Sequence, residues 1–444
     1  MMLFADAYDY LLSLGHETLT IKLGLANTER LLDALGNPHK SFPSVQIAGT
    51  NGKGSTGVML ESICLQAGIR VGLFTSPHLI SITERIRIDG QNISESDFAR
   101  IAQRVKETAE ELIKQGELES LPTFFEHVTA IALLAFAEAK VELAILETGL
   151  GGRLDSTTAA GAQVVAITPI AMDHEEYLGN TLGEIAAEKA AIIQRGATAV
   201  IAPQPEEAMK VIAARCREVS VTPLLASAPD GYPLAIASGS VSGRMCATFA
   251  TRAARYENVC LGLAGRHQIV NAATAIALAE ALREHGFTIS HDAIAGGLQQ
   301  AKHRGRLELW DSEPPILFDG AHNPAAARAL REYLDEFVDR PITMIFGAMK
   351  DKALDKLGAI LFPAADQIVL TQLDNPRAAI IDELEAAAPT DFDRGKLFRA
   401  TSVEEAWRIA RENTSTDGLI LVTGSLYLIG AVQKTHFAVH QATN

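Results

Sequence analysis

A glycine-rich turn that holds one lysine follows a short apolar run, residues 45–48, and precedes a helix-compatible stretch, residues 58–63. The turn reads Gly49, Thr50, Asn51, Gly52, Lys53, Gly54, Ser55. A strand, a tight turn and a helix N-terminus in this order present backbone N–H groups and the positive end of a helix dipole to an anion. Lys53 adds a point charge suited to a polyphosphate. The pattern therefore predicts a phosphate-binding loop in an α/β fold, in preference to a plain strand-to-helix turn without a ligand.

The turn departs from the general phosphate-loop pattern at two points. Two residues rather than four separate Gly49 from Gly52, and Gly54 stands where a Ser or Thr usually holds magnesium. A ligand for the metal must therefore come from another part of the chain.

Length and charge limit the kinds of protein that this chain can be. With 444 residues the chain is expected to form two or three domains. A net charge of −15 without a basic tail argues against a nucleic-acid partner, although local arginines can still hold an anionic small substrate.

The sequence also predicts the cellular compartment of the protein. The cysteines have no paired metal-ligand spacing, so neither zinc nor a disulfide framework is expected; they are Cys64, Cys216, Cys246 and Cys260. The first ten residues contain Asp6 and Asp9 and lack a basic-then-apolar signal, and no apolar run reaches membrane-spanning length. We expect a cytoplasmic enzyme without a membrane partner.

Strand-like and helix-like segments alternate in the first half of the chain, which is typical of a parallel α/β sheet. Predicted strands are residues 45–48, 71–74, 143–146, 164–167 and 199–201. Predicted helices are residues 98–115, 126–139, 181–194 and 271–284. Residues 222–263 contain short β-prone pieces separated by Pro233, Gly239 and Gly243, and we interpret them as an antiparallel excursion.

A second α/β series follows the basic stretch Lys302-His303-Arg304-Gly305-Arg306. Its predicted strands are residues 316–318, 342–346, 367–370 and 419–422. The change of pattern predicts a domain boundary near residue 300, with an ATP-binding domain in residues 1–300 and a Rossmann-like α/β domain in residues 301–444.

Polar side chains follow three of the strands predicted in the first domain. They are Ser76, Glu147 and His174. In open parallel sheets, ligands bind beyond the carboxyl ends of the strands, so these side chains are expected to converge on the glycine-rich turn. A hydroxyl, a carboxylate and an imidazole beside a polyphosphate are suited to magnesium, with Ser76 supplying the missing hydroxyl. The alternatives are a turn-forming Ser76 before Pro77 and a hydrogen-bonded loop histidine at position 174.

Lys189 interrupts an apolar helix face. A capping box at Thr181 and Glu184 begins the predicted helix, and Arg195-Gly196 is expected to end it. The face that includes Lys189 also carries Leu182, Ile185, Ile192 and Ile193. A lysine that extends its amine to solvent is the default interpretation, and a lysine that points inward to an anionic site is the alternative. The spacing alone does not decide between them.

Polar loops also follow two strands of the second series. One loop begins with Asp319 and contains His322, and the other contains Ser425. Polar strand ends in both domains suggest a shared cleft for two substrates. Arg306 on the presumed linker can reach a phosphate there, or it can be a solvated surface residue.

Taken together, these segments resemble the folylpolyglutamate synthase and dihydrofolate synthase family of the Mur ligase superfamily. The matching stretches are GTNGKGS (49–55), TSPHL (75–79), TERI (83–86), LETGLGGRLD (146–155), MDH (172–174), EKAAI (188–192), DGAHNP (319–324) and TGSL (423–426). They lie in the family's order along nearly the whole chain. Such a resemblance implies an enzyme that ligates glutamate to a pteroate or folate carboxylate while ATP is cleaved to ADP and phosphate.

The resemblance implies a role for each matched position. Lys53 and the backbone of residues 49–55 would hold the ATP phosphates, and Lys189 would be a carbamate. Two magnesium ions would be bound by Ser76, Glu147 and His174. Further ATP contacts would be Asn271, Arg306 and Asp319. Residues near the incoming glutamate would be Arg85, His322 and Ser425. A departure from the family pattern, Ala191 in place of a common glycine, is expected to affect packing more than chemistry.

Two further segments resemble the pterin-binding elements of bacterial bifunctional enzymes. They contain Thr123 and Phe125 in one segment and Asp155 in the other. This resemblance favours an enzyme that accepts dihydropteroate as well as folates. The alternatives are a folylpolyglutamate synthase without the first activity, and a core helix start as the only role of the two phenylalanines at positions 124 and 125.

Three other functions agree less well with the sequence. A peptidoglycan-precursor Mur ligase needs an additional N-terminal domain, and only 44 residues precede Val45. A regulatory NTPase needs the phosphate loop but not the loop that begins at Asp319. A dinucleotide oxidoreductase needs G-x-G-x-x-G spacing, which this turn lacks. We therefore expect a ligase that forms an acyl phosphate before glutamate attacks, and the family resemblance implies a monomer.

Overall fold

The computed structural model describes residues 2–15, 24–233 and 243–442. The strands are β1 Ser44–Ala48, β2 Val71–Phe74, β3 Ile86–Ile88, β4 Gln91–Asn92, β5 Leu143–Glu147, β6 Val164–Ile167, β7 Thr198–Ile201, β8 Leu224–Leu225, β9 Gly231–Pro233, β10 Arg244–Ala250, β11 Arg255–Ala264, β12 Glu308–Trp310, β13 Ile316–Asp319, β14 Ile342–Phe346, β15 Gln367–Thr371, β16 Leu397–Ala400 and β17 Leu419–Thr423.

Helices alternate with these strands. They are α1 Phe4–Ser13, α2 Ala26–Ala34, α3 Lys53–Gln66, α4 Glu95–Lys114, α5 Phe124–Ala139, α6 Glu175–Leu178, α7 Leu182–Ala190, α8 Glu206–Glu218, α9 His267–Glu284, α10 His291–Gln300, α11 Pro324–Phe337, α12 Leu354–Leu361, α13 Ile381–Ala386, α14 Val403–Asn413 and α15 Leu426–Ala442. Among the described residues, no helix combines the length and the apolar character needed to cross a membrane.

The first sheet has eight strands in the order β4-β3-β2-β5-β1-β6-β7-β8. Strands β2, β5, β1 and β6 are parallel neighbours and are buried throughout. Because parallel strands end at the same edge of a sheet, the loops after these four strands lie side by side. The predicted convergence of the polar strand ends is confirmed at the level of topology.

Helices cover both faces of this sheet, which explains its nearly continuous apolar strands. Side chains of α3, α9 and α10 form one core with residues such as Ile47 and Leu73, and α4 and α5 form another with Phe74 and Leu146. Helices α7 and α8 pack over β6 and β7. The sheet is therefore a rigid support for the loops at its carboxyl edge.

A three-stranded antiparallel sheet, β11-β10-β9, confirms the predicted excursion in part. Leu224–Leu225 was expected in it, but this pair adds to β7 in parallel as the edge of the first sheet. The prediction for those residues is wrong because the sheet that a two-residue edge strand joins depends on which strand lies beside it, and the hydrophobic pattern of two residues does not contain that information. Gly239 lies outside the described residues.

Cys246 and Cys260 form a disulfide between β10 and β11. The expectation of no disulfide is therefore wrong for this pair, whereas Cys64 and Cys216 are free and buried. The two linked cysteines are separated by 14 residues in the chain, and the antiparallel register places them directly opposite each other. Cysteine spacing alone does not contain that register.

The second sheet has six strands in the order β12-β13-β17-β14-β15-β16, all parallel except β12. The four predicted strands form its centre. Strands β12 and β16 were not predicted, since both are partly exposed edge strands without a continuous apolar run. Asp319 and Thr423 are the last residues of the neighbouring strands β13 and β17, so their loops meet at one edge.

Helix α7 is shorter than predicted. Its capping box at Thr181 and Glu184 is confirmed, but the helix ends at Ala190 rather than at residue 194. Ile192 and Ile193 follow in turns and are still buried against the same core. The residues after the helix pack against the same core as the helix does, so the apolar periodicity continues past Ala190. Periodicity alone therefore overestimates the length of the helix.

Candidate active site

A cavity of about 450 Å³ lies between the carboxyl edges of the two sheets. Its wall contains the whole glycine-rich turn, residues 49–55, together with residues from both halves of the chain. The other predicted site residues that line it are Ser76, Thr123, Phe125, Glu147, Asp155, His174, Lys189, Asn271, Arg306, Asp319, His322 and Ser425. Tertiary structure thus brings nearly all the predicted site residues to one cavity.

The glycine-rich turn has a backbone that only glycine supports well. Gly49 has φ 148° and Gly52 has φ 88°, in the left-handed region. A Cβ on Gly52 would lie 2.2 Å from Asn271 Oδ1, so the neighbouring helix α9 also excludes a side chain there. The loop is further braced by Thr50 and Asn51, whose amides both donate to Pro169 O at 3.1 Å.

Gly54 explains the missing hydroxyl of the turn. A Cβ at this position would lie 2.8 Å from His303 Cε1 and 3.2 Å from Glu147 Oε2. A serine or threonine would therefore push into the carboxylate and the imidazole. The small residue allows Glu147 to approach the N-terminus of α3, where the helix dipole and Lys53 supply positive charge.

Glu147 is a buried carboxylate at the end of β5, with 6% of its surface exposed. It accepts a hydrogen bond from the Ser76 amide at 3.3 Å, and no lysine or arginine forms an ion pair with it in the described chain. Burial raises the pKa of Glu147, opposed by the positive charges of Lys53, Arg306 and Arg85. A cation in the cavity would stabilise this carboxylate.

His174 follows β6 with φ 52°, a left-handed conformation that is costly for a residue other than glycine. Burial lowers its pKa to about 3, so the imidazole is neutral and can act as a metal ligand at neutral pH. In the described residues, however, no three His, Cys, Asp or Glu side chains are grouped as a ready metal site. An ion bound here would complete its coordination with other oxygens, such as those of a hydroxyl, water, a substrate or a modified side chain.

Lys189 lies inside the protein, with 4% of its surface exposed, and its side chain lines the cavity. The default interpretation of an amine that extends to solvent is therefore wrong, because the helix face turns toward the cavity and not toward bulk water. Burial, together with the charge of Lys53, lowers the pKa of Lys189 to about 7. No carboxylate within the described parts of the chain forms an ion pair with its amine.

Asp173 joins the two halves of the chain, a role that the sequence analysis missed. It accepts from Lys352 Nζ at 2.7 Å and from Asn323 Nδ2 at 3.1 Å, and it lies 3.4 Å from His322 Nε2. Burial opposes ionisation, but these positive and donor groups hold the pKa of Asp173 well below its usual range. We call this group of four residues the clasp.

A second contact connects the glycine-rich turn to the C-terminal half. Asn51 and Asn323 exchange side-chain hydrogen bonds of 3.3 and 2.9 Å. Lys352 and Asn323 lie 179 and 150 residues from Asp173, so no local pattern predicts these partners. The only indication of this contact in the sequence was the presence of the acidic residue Asp173 in the MDH stretch, residues 172–174.

The clasp allows a test of how the two sheets are held together. Asp173→Asn removes the 2.7 Å ion pair of the Lys352 amine and leaves it only the more distant Asp351, so we expect the closed arrangement to lose on the order of 3 kcal/mol. Small-angle scattering of the ligand-free protein should then show a larger radius of gyration. Asp351→Asn is the control, because Asp351 also lies near Lys352, at 3.8 Å, but on the same side of the cavity. Identical scattering from all three proteins would contradict the assignment.

A hydrogen-bond network supports the glycine-rich turn from the opposite side. Asn271 Nδ2 donates to Gln268 Oε1 at 2.8 Å, and Gln268 Nε2 lies 3.5 Å from Ser55 Oγ. Ser55 Oγ also lies 3.2 Å from Nδ1 of His303, which was not predicted as a site residue. The network connects the turn to helix α9 and to the stretch that links the two sheets.

Arg306 and Asp319 lie together where the linking stretch meets β13. Asp319 accepts from the amides of Leu307 and Ala321 at 2.9 and 3.0 Å, and burial raises its pKa. Arg306 makes a 3.5 Å contact with Gly320 O and forms no ion pair in the described regions, so its charge is available to the cavity. The solvated alternative for Arg306 is excluded by its position in the cavity wall.

His322 and Ser425 lie on the loops after β13 and β17. His322 Nδ1 donates to Gly320 O at 2.9 Å, since a carbonyl can only accept, and this orients Nε2 toward Asp173. Ser425 is 4% exposed and its Oγ accepts from the Tyr427 amide at 3.2 Å. Lys352 and Arg377 line the same part of the wall and were not predicted.

A recess at the opposite end of the cavity combines an aromatic ring with a carboxylate. A Cβ on Gly149 would lie 2.5 Å from Cζ of Phe125. The glycine therefore allows the ring of Phe125 to pack directly against the loop that contains Gly149. Asp155 accepts from the amides of Gly149 and Leu150 at 2.8 and 2.9 Å, and burial raises its pKa. Phe124 belongs to the core and Phe125 packs against it at the start of α5, so the core interpretation holds for both, and Phe125 also lines the cavity.

Arg85 is not among the residues that line this cavity in the described chain. It is buried, with 1% exposed, and its Nε donates to His78 Nδ1 at 2.9 Å. Its guanidinium also lies 5.4 Å from the ring centre of Phe124. The structure thus places Arg85 behind the cavity wall, and its predicted contact with glutamate stays a prediction.

Comparison with known families gives an independent result. The Mur ligase middle domain matches residues 47–279, and the Mur ligase glutamate ligase domain matches residues 305–426. A dihydrofolate synthase/folylpolyglutamate synthase of Bacillus subtilis is 36% identical over 426 residues, which are 95% of this chain and 96% of that protein. The chain belongs to the dihydrofolate synthase/folylpolyglutamate synthase family.

Solved structures of the same family agree with this assignment. A Mycobacterium tuberculosis folylpolyglutamate synthase complexed with ADP has a TM-score of 0.90 and 32% identity, with 97% of each chain covered. An Escherichia coli homologue in complex with DHPP and ADP has a TM-score of 0.84 and 31% identity, with 99% of this chain and 98% of that chain covered. The predicted fold and family are confirmed, and the chain is an ATP-dependent ligase that adds glutamate in folate metabolism.

Proposed function

We propose that this ligase joins L-glutamate both to dihydropteroate and to folates that already carry glutamate. The observation that carries the proposal is a single cavity in which the glycine-rich turn, the recess at Phe125 and Asp155, and the loops of the second sheet all meet. The flat ring of a pterin suits an aromatic and carboxylate recess. Relatives from Bacillus subtilis and Escherichia coli carry both activities in their names, which supports this interpretation.

The proposed reaction has two steps. The acceptor carboxylate attacks the γ-phosphorus of ATP, and the bond from this phosphorus to the oxygen that bridges it to the β-phosphate breaks. ADP departs, and the product is an acyl phosphate. The amine of glutamate then attacks the acyl carbon, the carbon–oxygen bond to phosphate breaks, and the amine loses a proton to solvent. Lys53 and the amides of the turn stabilise the charge on the transferring group. The clasp closes the cavity and limits hydrolysis of the intermediate.

We propose that Mg²⁺ is held by Ser76, Glu147 and His174 with phosphate oxygens of ATP. The buried, unpaired carboxylate of Glu147 and the neutral imidazole of His174 agree with a divalent cation. Once bound, the ion supplies positive charge that offsets the charge on the phosphates. A Yersinia pestis synthase in complex with AMPPNP and Mn supports metal use in this family.

A carbamate on Lys189 belongs to the same proposal. The described residues give the amine of Lys189, which is buried beside the cavity, no ion-pair partner, and a carbamate would add anionic oxygens to a site with few carboxylates. Further proposals are a domain boundary near residue 300, between α10 and β12, and a monomeric state. The contacts of Arg85 and Ser425 with glutamate and of Asn271 and Asp319 with ATP are proposals as well.

An ADP-release assay tests the function. With glutamate and Mg²⁺ present, we expect release to be stimulated by dihydropteroate and, separately, by tetrahydrofolate, and the products to gain one glutamate by mass spectrometry. Stimulation by tetrahydrofolate alone would reduce the proposal to a folylpolyglutamate synthase. Stimulation by neither acceptor would contradict the proposal altogether. Omission of glutamate is the control for ATP hydrolysis that is not coupled to ligation.

A further inference from the structure

A second, smaller cavity of about 130 Å³ adjoins the active-site cavity. We call it the linker chamber; the polar and charged side chains that line it and not the larger cavity include Glu84, Arg87, Asn92, Lys302, His303 and Arg304. It shares Gly54, Ser76, Glu147 and Arg306 with the larger cavity. The chamber therefore begins where, under the proposed function, the acceptor carboxylate is activated.

The chamber has an excess of positive charge. Four of its lining residues are cations, Arg87, Lys302, Arg304 and Arg306, and two are carboxylates, Glu84 and Glu147. His303 adds no charge, because burial lowers its pKa to about 3. Such a wall favours an anionic ligand.

Nearby carboxylates form ion pairs with two of these four cations and not with the other two. Arg87 pairs with the buried Glu61 at 2.9 Å, and Arg304 lies 3.6 Å from Glu84. The oxygens of Glu84 are also occupied by the amides of residues 79–81. Lys302 and Arg306 form no ion pair within the described ranges of the chain, so their charges remain for a ligand.

The chamber has a buried end and an exposed end. Lys302 and Arg304 are exposed, whereas Glu147, which lines both cavities, is buried. Positive residues thus extend from the reacting centre to the surface along one side. An anionic chain with its reacting end at this centre and its other end in the recess at Phe125 would reach this row by looping out between the two, and a longer chain would place more of its charges there.

We propose that the linker chamber binds the free carboxylates of the glutamyl tail already present on a folate substrate. Each glutamyl residue of such a tail carries one free carboxylate beside its amide, so charge increases with tail length. Dihydropteroate has a single carboxylate, which is the reacting one, and so has nothing to place in the chamber. The inference rests on the proposed function and adds to it the site that distinguishes the two acceptor classes.

The double variant Lys302→Gln/Arg304→Gln tests the proposal, since neither residue lines the active-site cavity. We expect kcat/KM for dihydropteroate to change by less than about twofold, because these exposed charges lie away from it. For tetrahydrofolate with one, three and five glutamates, we expect losses that grow from about threefold to about thirtyfold, mainly in KM. Higher salt should reduce the difference between wild type and variant, because screening weakens exposed charges.

A charge-matched control is Lys210→Gln/Arg217→Gln, which removes two exposed cations from α8, on another face of the first sheet. It should leave the tail-length dependence unchanged. An equal loss for all acceptors, or no loss for any, would overturn the proposal. Weaker product inhibition by inorganic phosphate with unchanged tail dependence would instead make the chamber a phosphate site, and this too would overturn it.

The two levels of inference fail in different ways. Wild-type protein that does not elongate tetrahydrofolate contradicts the proposed function. Wild-type protein that elongates tetrahydrofolate, together with a variant that treats short and long tails alike, contradicts only the role of the chamber. Circular dichroism of both double variants checks that they are folded.

Discussion

Lys189→Ala is expected to lower kcat by about 10²–10³-fold, the effect of removing a charged group that acts in the transition state. The reason is that a carbamate at this buried position would add anionic oxygens to a site where the described His, Cys, Asp and Glu side chains form no group of three. The ADP-release assay with both acceptors measures the loss. Lys210→Ala is the control, because Lys210 is an exposed lysine on the neighbouring helix α8.

Chemical rescue separates a carbamate from a structural role. Formate or acetate can occupy the space left in Lys189→Ala, and partial recovery of activity is expected with either ion but not with chloride. Turnover near that of the wild type without any added carboxylate would show that Lys189 does not take part. A thermal midpoint equal to or above that of the wild type would show that the loss is not due to unfolding.

The pKa of Lys189 predicts how the modification depends on pH. The neutral amine attacks the carbon of CO₂, a nitrogen–carbon bond forms and a proton is released. With its pKa lowered to about 7, a large share of the amine is neutral at pH 7, whereas with an ordinary lysine pKa fewer than about one in a thousand would be. At constant dissolved CO₂, carbamylation should therefore increase from pH 6 to pH 8. Carbon-13 NMR with labelled CO₂ measures it, and a constant or falling signal would contradict the prediction.

Glu147→Gln is expected to lower kcat/KM by about 10²–10³-fold. Glutamine keeps the shape of the side chain but removes the charge that would hold a divalent cation beside the phosphates. Affinity for Mn²⁺ in the presence of a non-hydrolysable ATP analogue should fall by at least about tenfold. Isothermal titration calorimetry measures this affinity, and Glu142→Gln is the control, since Glu142 lies just before the other end of the same strand.

Stability should change in the opposite direction to activity for this variant. Burial raises the pKa of Glu147, which means that its charge is destabilising in the metal-free protein. Glu147→Gln should therefore have a thermal midpoint in EDTA equal to or above that of the wild type. A lower midpoint together with unchanged Mn²⁺ affinity would show that the carboxylate has a structural role instead.

Much of the site could be predicted because its residues lie at the ends of parallel strands. Ser76 follows β2 closely, Glu147 is the last residue of β5 and His174 lies in the segment after β6, and a parallel sheet places such ends at one edge whatever the exact strand order. The glycine-rich turn could be predicted for a similar reason, since its chemistry is contained in seven consecutive residues. Local sequence is sufficient where function depends on backbone conformation and on strand ends.

Other parts of the site depend on contacts between distant segments. Asp173 meets Lys352 across 179 residues, and His303 reaches Ser55 across 248. The disulfide between Cys246 and Cys260 depends on an antiparallel register, and Leu224–Leu225 joined the first sheet through its neighbour β7. None of these pairings is contained in a local pattern.

The sequence by itself determined the α/β class, the glycine-rich turn and the identity of most residues that the structure brings around it. Tertiary structure decided that Lys189 is buried beside the cavity and that Arg85 lies behind the wall. It also explained Gly54, whose place is set by Glu147 and His303 rather than by the turn itself. The physical reason is that a turn's backbone preference is local, whereas burial, charge environment and available space depend on which distant segments pack together.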